Sequence, residues 1–299
     1  MESERNYKGH LTILAVNIIF GLNTPISKTL MPDTVTPFTL NYLRAIGAAV
    51  LFWIASVIIK TDDAPHGSEY LKLMGAGLLA AVFNQFLFVK GLDSSSPVTA
   101  AIIVSLTPII TMVLAAIILR EPISGLKASG VLLGLSGALV LILGNTHSKG
   151  QGNTLMGNMM CILSGLSYAL YLTLCKPLIM RHHPITLMKW MFLFSAIVTL
   201  PFCWNDLQAT AWQSIGTSQW LRIGYVVGMA TFTTYLLIPV AQKRLRPTTL
   251  SMYNYVQPII ACIVAVWLGL DTFGLKAGIA TAMVFVGVFM VTQSKSKEK

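Results

Sequence analysis

Charge is scarce in this sequence. Only 11% of its 299 residues are Asp, Glu, Lys or Arg, less than half of the roughly 25% that soluble domains carry, so the chain cannot clothe a water-facing surface. Acids are scarcer still, 11 against 21 Lys and Arg, and each falls at the edge of an apolar run, in a connection or in a tail. Proton-coupled carriers commonly cycle charge on an intramembrane Asp, Glu or His, so a dedicated carboxylate relay is not expected. The four cysteines, Cys161, Cys175, Cys203 and Cys262, stand singly without CxxC or metal-type spacing. His182 and His183 are adjacent but have no third ligand nearby in the chain, so no metal and no other cofactor is expected. No GxSxG, HExxH or Walker-type glycine loop occurs, which excludes the familiar intramembrane enzymes. The start, MESERNYKGH, lacks a basic n-region and a small-residue cleavage site, so the first apolar run is expected to be retained. Basic residues flank apolar segments and do not gather on one patch, so no nucleic-acid partner is expected.

What the chain has is hydrophobic length: 55% hydrophobic residues and a mean hydropathy of +0.70. A bilayer core of about 30 Å takes about 20 apolar residues as helix. Cutting at charged and Pro/Gly-rich breaks gives ten spans, at 9–30, 36–59, 70–90, 97–119, 125–144, 154–176, 184–204, 220–241, 247–268 and 274–292. The expected fold class is an all-α integral membrane protein with the lipid bilayer as its solvent. Fifteen Lys and Arg flank one set of span ends, five flank the other, and Arg44 lies inside a span. The positive-inside rule then puts both termini in the cytoplasm, in a cell inner (plasma) membrane.

The halves also repeat each other at an offset near 150. Pro97-Val98-Thr99-Ala100 matches Pro247-Thr248-Thr249-Leu250, and Pro108-Ile109-Ile110 matches Pro258-Ile259-Ile260. Gly125-Leu126-Lys127-Ala128 matches Gly274-Leu275-Lys276-Ala277, and Pro37-Phe38-Thr39-Leu40 matches Pro184-Ile185-Thr186-Leu187. Five spans per copy is an odd number, so the second copy enters the membrane from the opposite side. The expectation is ten transmembrane helices as two inverted five-helix repeats, residues 1–149 and 150–299, an arrangement secondary transporters use for alternating access.

The segments FGLNTPISK (20–28), SLTPIITMVLAAIILREPIS (105–124) and GLKASGVLLGLSGALVLIL (125–143), with the second-half counterpart at 255–288, carry a likeness to a known family. Over its whole length the chain resembles the drug/metabolite transporter superfamily, specifically the EamA-type ten-helix exporters. The resemblance implies a 5+5 inverted repeat, cytoplasmic termini and export of amino acids or other small metabolites. The missing membrane carboxylate argues against the polyaromatic-cation drug pumps of that superfamily. The chain departs from strict symmetry at Met191, which stands opposite Arg44, and at Leu270-Asp271, opposite Arg120-Glu121.

Polar groups are costly in hydrocarbon unless paired or facing a cavity, so those inside spans mark the pathway. Asn23, Arg44, Asn84, Gln85 and Ser105 fall about 6–12 Å below the external span ends, at 1.5 Å per residue. Tyr171, Lys189, Tyr235 and Tyr255 sit at the matching depth from the other side, with Tyr168, Asn254 and Gln257 nearby. All of these except Lys189 and Asn254 are candidate substrate contacts. Arg44 either grips a carboxylate or phosphate or snorkels to the interface, and the amides either read substrate or bond between helices. Pro108 and Pro258, at matched positions, are candidate hinges because each interrupts a helical ladder. Glycines of spans five and ten, including Gly130, Gly134, Gly137, Gly278 and Gly287, form small-residue faces that serve either bundle packing or a homodimer. The expected function is a carrier of an amino acid or related carboxylate. A non-transporting scaffold or sensor, and a carrier of drugs or nucleosides, are the alternatives.

Overall fold

A computed structural model describes residues 2–31, 34–61, 63–93, 106–144, 155–257, 259–260, 263 and 275–294, and no strand occurs among them. The first half holds α1 (Glu2–Lys28), α2 (Pro37–Ile59), α3 (Glu69–Gly77), α4 (Asn84–Asp93), α5 (Thr107–Ile118) and α6 (Gly125–Gly144). The second holds α7 (Leu155–Leu174), α8 (Lys176–Arg181), α9 (Pro184–Ala209), α10 (Thr217–Val227), α11 (Thr234–Gln242), α12 (Pro247–Met252) and α13 (Leu275–Gln293). Among the described residues five helical stretches are long and apolar enough to cross a membrane: Pro37–Ile59, Glu69–Gly91, Leu155–Leu174, Pro184–Ala209 and Thr217–Gln242. Thr107–Ile118 and Thr281–Val291 are shorter apolar helices.

Local sequence explains the helix starts. Thr36 caps α2 by accepting the Thr39 N–H at its hydroxyl, 3.1 Å, with Pro37 in the first turn, where a missing N–H costs nothing. At the start of α9, His183 Nδ1 accepts the Ile185 N–H at 3.4 Å and Pro184 takes the place of Pro37. Beyond the expected end at 204, α9 continues to Ala209, where Thr210 Oγ1 donates to the Asp206 carbonyl (2.8 Å) and Trp212 Nε1 to the Leu207 carbonyl (3.0 Å). These bonds serve carbonyls that a helix end leaves open.

The third and eighth spans are not plain α-helices. Between α3 and α4 a π-helical turn runs over Leu78–Phe83, and between α10 and α11 another runs over Gly228–Thr233. The two begin 150 residues apart. A π turn widens the ladder and leaves carbonyls poorly served, and here side chains take them up. Leu79 O accepts from Ser167 Oγ (2.8 Å) and Ala80 O from the Tyr235 hydroxyl (3.0 Å). Val226 O accepts from Thr231 Oγ1 (2.8 Å) and Gly228 O from Thr233 Oγ1 (3.0 Å).

Packing joins the halves. α2 lies against α9, α6 against α13, α1 against α11, and α7 against α4. α6 and α13 approach so closely that a Cβ on Gly130 would stand 2.7 Å from Gly287 O, and one on Gly287 2.6 Å from Gly130 O. Gly134 meanwhile faces the Tyr255 ring. These three glycines are therefore spent on contacts within the chain and leave no ridge there for a second copy.

Both ends of the described chain meet on one face, called the terminal face below. His10 Nδ1 bonds the Tyr253 hydroxyl (3.0 Å), and Ser124 Oγ bonds Ser294 Oγ (2.9 Å). The main core cluster reaches this face through Cys175, Leu178, Ile179, Leu245, Leu250 and Val291. Two polar clasps reinforce it. His182 Nδ1 meets Asp63 at 2.7 Å while the His183 N–H donates to the same carboxylate at 2.6 Å, and Lys243 Nζ donates to the His182 carbonyl at 2.6 Å. Lys127, almost wholly buried, pairs with Glu121 at 2.7 Å, and Thr248 donates to the same carboxylate at 3.2 Å. Burial alone would raise the Asp63 carboxyl, but the bonds from His183 and His182 outweigh it and hold it below the usual carboxylate range. At the opposite face, between the start of α2 and the ends of α4 and α9, lies a cavity of about 180 Å³ lined by Thr36, Pro37, Phe38, Val89, Lys90 and Asp206.

Candidate functional site

The polar residues expected in two separate layers meet at the centre. Gln85, on the first turn of α4, donates from Nε2 to the Tyr235 hydroxyl at 2.7 Å, and that hydroxyl donates onward to Ala80 O in the π turn. Arg44 reaches the second π turn, where its Nε donates to Thr231 Oγ1 at 2.8 Å. Arg44 and Tyr168 both lie within electrostatic reach of the Tyr235 phenol. Phe192 closes one side, its ring edge-on to Tyr235 at 4.9 Å, and Phe52 stands between Phe192 (5.7 Å) and Phe232 (4.6 Å). Gln85 and Tyr235 are thus bonded to each other and to the first π turn, and Arg44 is bonded to the second. Among the described residues no carboxylate pairs with Arg44, and Thr231 is the one acceptor its guanidinium finds among them.

The other candidates go elsewhere. Asn23 accepts from Ser27 Oγ one turn along its own helix, 3.2 Å. Asn84 ties α4 to α7, donating to Ser164 O (3.1 Å) and Oγ (3.2 Å) while Ser164 Oγ returns a bond to Asn84 O (2.7 Å). These are helix-packing bonds of the ordinary kind. Tyr171 is fully buried and donates to Gln242 Oε1 at 3.3 Å. Tyr255 is buried against Gly134, and its hydroxyl finds no partner among the described residues. Gln257 Nε2 donates to Asn17 Oδ1 at 2.9 Å, bonding α1 to the second half. Pro108 sits in the first turn of α5, where its ring interrupts no bond of the described helix. Ser105 and Pro258 lie outside the described residues.

Sequence reasoning passed over Thr231, Ser167 and the two π turns. The run Thr231-Phe232-Thr233-Thr234 was the available signal, since three hydroxyls in four residues of an apolar span ask for acceptors. The cavity was missed because its walls come from three distant segments. On α4, Val89 and Lys90 of this cavity follow Gln85 and Phe86 by one turn, and Phe86 packs against Phe38 at 4.5 Å. No group of three or more His, Cys, Asp or Glu able to hold a metal occurs among the described residues.

Comparison with known proteins places this architecture. The profile of the EamA-like transporter family matches twice, over residues 7–143 and 155–293. The chain belongs to that family. EamA-like relatives include an uncharacterized transporter of Archaeoglobus fulgidus, 25% identical over 87% of this chain and 90% of its own length. The uncharacterized transporter YetK of Bacillus subtilis is 22% identical over 97% and 88%, and a WAT1-related protein of Arabidopsis thaliana 19% identical over 97% and 85%. One solved crystal structure, 18% identical, covers 97% of this chain and shares its fold at a TM-score of 0.79. Membership of the EamA-like family, with five membrane-length helices, makes this a multi-pass membrane protein of a transporter family, as the resemblance to the drug/metabolite transporter superfamily implied.

Proposed function

We propose that the protein is a secondary transporter that exports an amino acid or related carboxylate by alternating access of two inverted repeats, residues 1–149 and 150–299. The observation that carries this reading is the Gln85–Tyr235 bond. These residues stand 150 apart, the offset of the repeat, so they occupy equivalent positions in the two copies. Equivalent positions that touch must lie on or beside the axis relating the copies, which is where carriers of this design hold their cargo. Support comes from the π turns at the same offset and from the reciprocal packing of α1 on α11 and α7 on α4.

Arg44 gives the cargo its chemistry. With Nε occupied by Thr231, its outer fork is left to take a carboxylate in two parallel bonds. The terminal face is closed by the core and the clasps while the opposite face carries the cavity, so in this reading the conformer is closed inward and faces outward, the basic terminal face being cytoplasmic. Opening inward requires the halves to part at the terminal face. The π turns are the hinges in this reading, because each holds a helix in a register that one peptide shift would convert, whereas Pro108 stands in the first turn of α5 and interrupts no bond of the described helix.

Counterflow in proteoliposomes tests the proposal, with wild type and Arg44→Ala offered labelled amino acids, organic acids and nucleosides. Exchange of carboxylates that is lost in Arg44→Ala is expected. Exchange of carboxylates undiminished in the variant would remove Arg44 from the site, and exchange of nucleosides alone would overturn the assigned cargo.

A further inference from the structure

Lys189 belongs to none of the contacts above. It lies one and a half turns into α9 from the terminal face, roughly 7 Å deep at 1.5 Å per residue, on the side where α9 packs on α2. Its Nζ donates to Ser56 Oγ at 2.8 Å and lies 5.2 Å from the centroid of the Trp53 ring. Both partners are neutral, and among the described residues no carboxylate pairs with it. The neighbouring Trp190 is gripped by aromatic edges, 5.3 Å from Trp53 and 4.9 Å from Tyr70, and its indole N–H has no acceptor among the described residues. The surrounding surface of α2 faces lipid, with Trp53 37% and Val57 73% exposed.

We propose that Lys189, Ser56, Trp53 and Trp190 form a site for the phosphate of an anionic phospholipid in the leaflet at the terminal face. Charge complementarity carries the assignment. A cation held at the boundary of the hydrocarbon by neutral groups alone still needs an anion, and basic niches between helices at the cytoplasmic interface bind acidic headgroups. The aromatic rings give the glycerol and upper acyl region a wall at the depth such belts occupy. The charge is also one-sided. At the offset set by Pro37 and Pro184, the position equivalent to Lys189 is Tyr42, so the ammonium is not part of what the two repeats share. It stands instead on the face that fourteen other Lys and Arg mark as the side of the acidic leaflet. The site does not depend on what is transported.

The test is native mass spectrometry of the full chain in detergent with dioleoyl phosphatidylglycerol or phosphatidylcholine added. Wild type should retain phosphatidylglycerol about fivefold better, the ratio equivalent to about 1 kcal/mol per basic residue at an acidic surface. Lys189→Met should bring that ratio to about one, and Lys189→Arg should keep it. A measurement needing no Lys189 variant is quenching of tryptophan emission in phosphatidylcholine nanodiscs doped with brominated phosphatidylglycerol. Quenching should exceed that by brominated phosphatidylcholine, and the excess should vanish in Trp53→Phe, Trp190→Phe. Equal retention of the two lipids by wild type, or an undiminished preference in Lys189→Met, would overturn the proposal. So would loss of the preference on adding millimolar inorganic phosphate, which would mean that a free phosphate is the ligand.

Discussion

The Tyr235 hydroxyl is the group on which the proposed cycle turns, and Tyr235→Phe removes it with little change of shape. The oxygen accepts from Gln85 at 2.7 Å and donates to Ala80 O at 3.0 Å, so the substitution deletes two bonds, one buried and one half-buried. At about 1 kcal/mol net each, the loss is about 2 kcal/mol. On the proposed cycle the repeats exchange roles in the opposite conformer: Gln85 would become the donor to Ala230 O, the equivalent of Ala80 O, and Tyr235 would be freed. The loss therefore falls on the conformer closed at the terminal face and shifts the balance toward the other by roughly thirtyfold, at 1.4 kcal/mol per factor of ten. Cys175, 8% exposed at the terminal face, reports that shift. With Cys161, Cys203 and Cys262 replaced by Ser, maleimide labelling of Cys175 should accelerate by about that factor. Labelling at the parent rate, with a lowered thermal midpoint, would show that the hydroxyl stabilises both conformers equally and would refute the exchange of roles.

Other expectations follow from the same contacts. Thr231→Val leaves the Arg44 guanidinium without its positioning acceptor, a bond to a charged group worth about 1.5–3 kcal/mol, and should raise the KM for carboxylates about tenfold or more in counterflow with little change in fold. Gly130→Val should lower the thermal midpoint measurably, since overpacking of this kind costs about 1–3 kcal/mol and a Cβ there meets Gly287 O at 2.7 Å. Gly75→Ala, where a Cβ meets nothing within 4 Å, is the control that should not lower it. Asp63 is held below its ordinary pKa, so its contribution to the clasp is complete above the carboxylate range and is lost as pH falls through the depressed value. The thermal midpoint of the parent should therefore fall at strongly acid pH more than that of Asp63→Asn, and at neutral pH Cys175 labelling in Asp63→Asn should exceed the parent's.

The chain itself determined that this is a helical membrane protein, because span length, charge scarcity and the placement of Lys and Arg are one-dimensional quantities that a bilayer reads directly. The starts of α2 and α9 were legible for a related reason: a cap followed by proline acts within a few residues. Arg44, Gln85 and Tyr235 could be named because a polar group in an apolar run is conspicuous wherever the run folds. Which of these would meet could not be read, since depth along a span says nothing about rotation around it. Depth alone assigns Gln85 and Tyr235 to opposite layers, and tertiary packing brings them to one bond. Asn23 and Asn84 had the same credentials and were taken by Ser27 and Ser164, because their helix faces turn to neighbours and not to the centre. The π turns also needed the fold. One extra residue per turn is affordable only where Ser167, Tyr235, Thr231 and Thr233 arrive to satisfy the carbonyls it leaves behind, and two of those four come from other helices. Small glycine faces allowed both internal and external contacts, and the approach of α6 to α13 decided in favour of the internal one for Gly130, Gly134 and Gly287.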